Sequence, residues 1–273
     1  MVSENLVKYS VRAKYFRQPD GGLKLAQIQQ LGLPAFCLPG YELLDDYFDD
    51  AAAIPAPEDV PPEADTPASD SLYLLRALRR AKIAAFDKIC ANPDLDTFAT
   101  FTLSPDAVGD RASWDDCYKR LRDWLTHRVQ RRGLKYVIAP ERHKAGGIHF
   151  HAIMNAAALR LSPAISPKTG QPLTNHGAPL YNVTDWKFGF TSAERIQSAD
   201  TDREHVAKYI FKYMGKQGIT GKIGGRYLLT GGALALPYYA YGDNPAEFMP
   251  DTAATYSREV EHDGGIYREW SYI

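Results

Sequence analysis

Residues 134–155 read LKYVIAPERHKAGGIHFHAIMN. Two runs rich in β-branched and aromatic residues, 134–141 and 146–155, flank the short polar turn RHKAG at 142–146. That pattern predicts two strands folded back on each other as an antiparallel hairpin. On the second strand His149 and His151 stand two residues apart, so both imidazoles project from one face of the sheet. Glu141 ends the first strand, where pairing across the turn can bring its carboxylate near the histidines. Two imidazoles and a carboxylate leave positions open for water and substrate oxygens. Such a donor set suits Mg²⁺ or Mn²⁺ and would accept Zn²⁺. A pair of hydrogen-bonded sheet histidines is the other reading of the same motif.

Outward from the hairpin the pattern keeps alternating between strand and helix. TFATFTLS at 97–104 reads as a buried strand. Ser113 can cap a helix through about Arg132, with Trp114, Tyr118, Leu121, Trp124, Leu125 and Val129 on its apolar face. Residues 156–182 read as a long irregular insertion. NVTDWKFGFTSAERI at 182–196 contains another strand, on which Trp186, Phe188 and Phe190 alternate and either stack bases or pack in the core. TDREHVAKYIFKYMGK at 201–216 is a helix capped by Thr201 or Asp202, and GGRYLLTGG at 224–232 a last short strand. The order β–α–β–β–loop–β–α–β predicts an α+β fold with a central antiparallel sheet and helices packed on it.

The flanks are of different character. KYSVRAKYF at 8–16 alternates like a strand, and LKLAQIQQLGL at 23–33 reads as a short helix. DDAAAIPAPEDVPPEADTPASD at 49–70 is rich in Pro, Ala and acids, with one Ile and no aromatic residue, and reads as a disordered linker. After it, 71–92 carries apolar residues at helical spacing until Asn92-Pro93 ends the run. The expected division is a small N-terminal segment at 1–48, the linker at 49–70, the main domain at 71–237 and a tail at 238–273.

The net charge of −1 over 273 residues hides a split. Residues 71–235 hold 25 Lys and Arg against 14 Asp and Glu, whereas residues 41–70 hold ten acids and no Lys or Arg. A basic body beside an acidic appendage is the asymmetry expected of a chain that meets a polyanion. No stretch approaches the roughly 18 apolar residues of a membrane span. The opening MVSENLVKYSVRAKYFRQ is too charged for a signal-peptide core. Cys37, Cys90 and Cys117 lie too far apart for a CxxC pair, which suits a reducing compartment. A cytoplasmic protein is expected.

The helix at 201–216 carries a second constellation. Tyr209 and Tyr213 are four residues apart and share a face, and each is followed three residues later by a lysine, Lys212 and Lys216. A phenol is a weak nucleophile at neutral pH unless a nearby ammonium or metal assists it. Alternatively the rings are core residues and the lysines reach past them to solvent.

Taken together, the strand His-x-His with its upstream acid, the basic body and the helix with Tyr-x2-Lys resemble the HUH endonuclease superfamily. The doubled tyrosine is similar to that of two-tyrosine rolling-circle replication initiators. The fuller set NPDLDTFATFTLS, LKYVIAPERHKAGGIHFHAIMN, DWKFGFTSAERI, VAKYIFKYMGK and GRYLLTGGALALP resembles the filamentous-phage gene-II-like replication proteins over about residues 72–237. The resemblance implies an RRM-like sheet. It implies Glu141, His149 and His151 as ligands of Mg²⁺ or Mn²⁺, Tyr209 and Tyr213 as nucleophiles, and Lys212 near the metal or the leaving oxygen. The implied activity is nicking and rejoining of single-stranded origin DNA through a 5′-phosphotyrosine. Arg142, Lys144, Lys208 and Lys216 are the candidates for phosphate contacts. GITGKIGG at 218–225 lacks the spacing and hydroxyl of a phosphate-binding loop, so a host helicase and polymerase are the expected partners. A relaxase or transposase with the same chemistry, a non-catalytic single-strand binder and a zinc hydrolase compete with this reading.

The ten acids of residues 41–70 are expected to compete with DNA as a tethered polyanion. Deleting residues 41–70 should tighten non-specific DNA binding at low salt, with the gain shrinking as ionic strength rises. Unchanged low-salt affinity would reduce the segment to a spacer.

Overall fold

The computed structural model describes residues 7–34, 68–144, 146–196, 203–214, 222–262 and 265–273. Its first elements are strands β1 (Val7–Arg17) and β2 (Leu23–Pro34) and helix α1 (Ala68–Cys90). Next come β3 (Thr97–Thr102), helix α2 (Trp114–Arg132) and the hairpin of β4 (Tyr136–Arg142) and β5 (Ile148–Met154). Short strands β6 (Leu161–Pro163), β7 (Thr174–Asn175), β8 (Ala178–Val183) and β9 (Thr191–Arg195) follow. Helix α3 (Arg203–Phe211) and β10 (Leu229–Gly231) come before β11 (Tyr238–Gly242), β12 (Tyr256–His262) and β13 (Gly265–Ser271). The chain forms two units: Ala84–Leu236, and the described residues up to Ile83 together with Pro237–Ile273.

In the Ala84–Leu236 unit the strands order as β10-β4-β5-β3-β9-β8-β6, every pairing antiparallel. The hairpin expected at 134–155 forms, and β3 joins its far side through α2, so that β5 lies between β4 and β3. This is the α+β arrangement expected, a split β-α-β with a helix against one face. Alternation along β5 sends Ile148, Phe150, Ala152 and Met154 into the core beside Ala99 and Phe101 of β3. Cys117, Leu121, Trp124 and Leu125 of α2 cover them. The rings of Phe101, Trp124 and Trp186 meet there, with centroids 5.1–5.6 Å apart.

Helix α2 begins where its cap dictates. Ser113 accepts a hydrogen bond from the Asp116 N–H, and Asp115 and Asp116 complement the positive end of the helix dipole. Gly133, at φ 65°, ends it in the left-handed conformation that frees its N–H for the carbonyls of Arg128 and Val129.

Three readings change. Residues 23–33 are not a helix but most of β2, the middle strand between β1 and β13. Both faces of this strand are covered, so Ala26, Ile28, Gln29, Gln30 and Leu31 are all buried and no clean alternation marks it as a strand. The insertion at 156–182 is less irregular than expected, because β6, β7 and β8 form within it. Trp186, Phe188 and Phe190 do not share a strand face: residues 184–190 are a loop, with Trp186 in the core and Phe190 exposed. The acidic segment at 41–67 lies outside the described residues.

In the other unit the expected N-terminal segment and C-terminal tail build one antiparallel sheet, ordered β11-β1-β2-β13-β12. Val11, Ala13 and Ile28 form its apolar core with Tyr15, Trp270 and Tyr272 packed around them. The opposite face carries a polar row across four strands, Arg12↔Gln29↔Glu269↔Arg258. Arg12 donates to Gln29 at 3.0 Å, Gln29 to the Tyr267 hydroxyl at 2.9 Å, and that hydroxyl to Glu269 at 2.8 Å. Arg258 reaches the same carboxylate at 2.9 Å. Each buried side chain along this row has a polar partner, which is the condition for a sheet face to be both polar and enclosed.

Burial, and then the Glu269 carboxylate, push the Tyr267 phenol well above its usual pKa of 10.0. The folded chain keeps this proton while the unfolded chain releases it near pH 10, so stability present below that pH is lost as pH rises past it. Wild type should therefore lose more stability between about pH 8 and about pH 10.5 than Tyr267→Phe, measured by urea unfolding. Equal losses would exclude Tyr267 as a source of alkaline instability.

Candidate active site

The face of the Ala84–Leu236 sheet opposite α2 carries the candidate chemistry. Its register aligns Glu141↔His149↔Thr102 in one row and Ala139↔His151↔Thr100 in the next. Directly opposed residues share a face, so both histidines, Glu141 and the two threonines all project to this side. His151 and Glu141 are buried, and His151 Nε2 lies 2.6 Å from Glu141 Oε2. The other ring nitrogen, Nδ1, is 3.1 Å from Thr100 Oγ1. With Nε2–H donating to the carboxylate, Nδ1 can accept from the threonine hydroxyl, which fixes the ring plane.

Helix α3 lies against β4 and β5, with Ala207, Ile210 and Met214 turned inward. The helix is shorter than expected. It ends at Phe211, and Tyr213 N–H and Met214 N–H both return to the Ile210 carbonyl in a closing turn. That turn lays the Tyr213 ring on the His151 imidazole, with centroids 3.6 Å apart and planes 17° from parallel. Phe98 of β3 completes the cluster, meeting the Tyr209 ring edge-on at 4.7 Å and the Tyr213 ring at 6.1 Å. The Tyr213 hydroxyl donates to the Tyr209 hydroxyl at 3.2 Å. Burial, that hydrogen bond and the nearby Glu141 carboxylate push the Tyr213 phenol well above its ordinary value. Tyr209 is 40% exposed, at the open side of the pair.

The basic candidates fall into different places. Lys212 holds its ammonium 5.2 Å from the Tyr209 ring centroid, a cation–π contact. Arg142 donates to the carbonyls of Ala112 and Gly146 at 3.0 Å each, which braces the hairpin turn. Lys144 is exposed on that turn. The side chain of Lys208 and all of Lys216 lie outside the described residues.

The donor types expected for a divalent cation are present on one face, with Glu141 and His151 converging. The His149 ring is 6.5 Å from that of His151 and stacks on His143 at 5.0 Å. Among the described residues no group of three His, Cys, Asp or Glu side chains is arranged as one coordination shell. Sequence reasoning passed over Thr100, Phe98 and His143. The first two become visible only when β3 is paired with β5, whereas His143 stood in the quoted turn.

No helix among the described residues is long and apolar enough to cross a membrane. No curated protein and no solved structure matches the chain significantly. Residues 96–218 match the replication-associated protein family of the ORF2 and gene-II type. The matched stretch holds β3, the β4–β5 hairpin with Glu141, His149 and His151, and the two tyrosines on and beyond α3. Over residues 96–218 the chain is thus similar to the gene-II-like replication-associated proteins.

Proposed function

We propose that this protein initiates rolling-circle synthesis by nicking and rejoining single-stranded origin DNA through a 5′-phosphotyrosine. The observation that carries the reading is the pair of tyrosine hydroxyls, 3.2 Å apart, set over the His151–Glu141 pair by the Tyr213–His151 stack. Two nucleophiles this close can reach one phosphate by small shifts. A core packing role alone gives no reason for Tyr209 to stand 40% exposed.

In the first step the Tyr209 oxygen attacks phosphorus, the bond from phosphorus to the 3′ oxygen breaks, and that oxygen leaves as a 3′-hydroxyl after taking a proton. The phenolic proton of Tyr209 is lost to solvent on its open side. Tyr213 keeps its own proton and donates it in a hydrogen bond to the Tyr209 oxygen, whereas Tyr209 stands at the open side of the pair. Lys212 adds positive charge beside the same ring and draws phosphate toward it. These contacts support Tyr209 as the first nucleophile. The covalent link conserves the energy of the broken ester, so rejoining needs no nucleotide cofactor. After a round of synthesis Tyr213 attacks the regenerated origin, and the newly released 3′-hydroxyl resolves the Tyr209 link.

Glu141, His149 and His151 are the residues we assign to Mg²⁺ or Mn²⁺, on the chemistry of the donor set and its shared face. A divalent ion there would neutralise charge on the phosphate oxygens. The chain carries no phosphate-binding loop for a motor, so strand separation and synthesis fall to a host helicase and polymerase.

Phenylalanine keeps ring packing and removes only the hydroxyl. Tyr209→Phe should lose most of the first cleavage of single-stranded origin DNA, and Tyr213→Phe should keep it but fail to terminate a round. The double variant should form no adduct on a denaturing gel. An adduct persisting in the double variant would place the nucleophile elsewhere, and DNA binding by the wild type without any cleavage or adduct would leave a non-catalytic binding protein.

His149→Ala with His151→Ala should abolish Mn²⁺-supported cleavage while much of the phosphate-driven DNA binding remains. Calorimetric titration of the wild type with Mn²⁺ alone should show heat that the double variant lacks. Normal cleavage by the variant would remove both residues from the site.

A further inference from the structure

The ladder between β3 and β9 continues one pair beyond the named strands. Phe101 faces Thr191, and the next N–H, that of Thr102, donates to the Phe190 carbonyl at 2.9 Å. Alternation turns the Phe190 side chain to the face opposite Phe101, which is the face of Thr102, His149 and Glu141. Phe190 therefore extends the row of Glu141, His149 and Thr102 by one residue, two strands from His149, or roughly 10 Å at the usual strand spacing.

Its exposure is of an unusual kind. Trp186, in the same loop, is buried, and Phe188 packs against it at 5.1 Å, whereas Phe190 is 65% exposed. The loop holding the ring is fixed at several points. Ser104 N–H donates to the Phe188 carbonyl at 2.8 Å, and the Trp186 indole N–H donates to the Thr102 carbonyl at 3.2 Å. Gly189, at φ 152°, passes so close to β3 that a Cβ would run into the Thr102 carbonyl and come within 2.7 Å of Ser104 N. A flat apolar ring is thus held in water by a backbone that leaves it no way inward, beside the proposed cleavage site.

We infer that Phe190 is a base-stacking residue that seats an unpaired nucleobase flanking the phosphate to be cut. The inference rests on the single-stranded substrate proposed above. The ring carries no charge for phosphate and no polar group to read a base edge. It offers a π-face, which any unpaired base can cover and a base inside a duplex cannot. Phe190 would accordingly fix the position of the strand along the row without selecting its sequence, a positioning role distinct from the chemistry of the tyrosines.

The test compares binding of labelled oligothymidylate and of an abasic oligomer with the same number of phosphates, followed by fluorescence anisotropy at fixed salt. Wild type should prefer the strand with bases. Phe190→Ala should weaken oligothymidylate binding by about 5- to 150-fold, leave abasic binding unchanged and keep the same salt dependence. Phe190→Trp should restore the preference, whereas Phe190→Leu, which keeps apolar bulk without a π-face, should not. Because the ring is exposed, the thermal midpoint of all three variants should stay at the wild-type value. Undiminished oligothymidylate binding by Phe190→Ala, or equal losses on both oligomers, would overturn the stacking role while leaving the proposed activity standing. No wild-type binding to either oligomer would overturn both.

Discussion

Strand β5 serves two environments at once, and the site depends on its pleat. Ile148, Phe150, Ala152 and Met154 enter the core on one side, and His149 and His151 emerge between them on the other. A slip of one residue would exchange the two sets, burying imidazoles against Trp124 and Leu121 and exposing Phe150. The apolar half of the strand therefore holds the polar half in register. Neighbours on both sides extend that control, because β4 supplies Glu141 and β3 supplies Thr100 at positions that only this pairing aligns.

The helix that brings the tyrosines is secured by rings more than by length. Among the described residues nine of α3 are helical, a length too short to be stable alone. Phe98, His151, Tyr209 and Tyr213 make mutual contacts across the helix and two strands. Aromatic pairs of this type contribute about 0.5–1.5 kcal/mol each beyond area burial. The cluster also makes two similar residues unequal: Tyr213 is enclosed over the imidazole, and Tyr209 faces outward with a lysine against its ring.

Features set by neighbours in sequence were the readable ones. The β4–β5 hairpin follows from its turn, and α2 from Ser113 at one end and Gly133 at the other. Features set by partners far along the chain were not. β2 looked helical because β1 and β13 lie on either side of it and both its faces are covered, which hides the period of two. Thr100 and Phe98 entered the site only through strand order. The fate of a guanidinium was equally out of reach: Arg142 was expected on phosphate and is engaged with two backbone carbonyls.

The sheet of β1, β2, β11, β12 and β13 joins the two flanks of the sequence, which precede and follow the stretch that holds the tyrosines. Ile28 pairs with Trp270, so this sheet closes a loop of more than 200 residues. During synthesis the β1–β2 hairpin leaves the ribosome with one edge awaiting β11 and the other awaiting β13. The Ala84–Leu236 sheet needs nothing made later than β10 and can complete its core first. Vectorial synthesis thus orders the two sheets in time, so that the segment carrying the tyrosines can become structured while its flanking sheet is still unfinished.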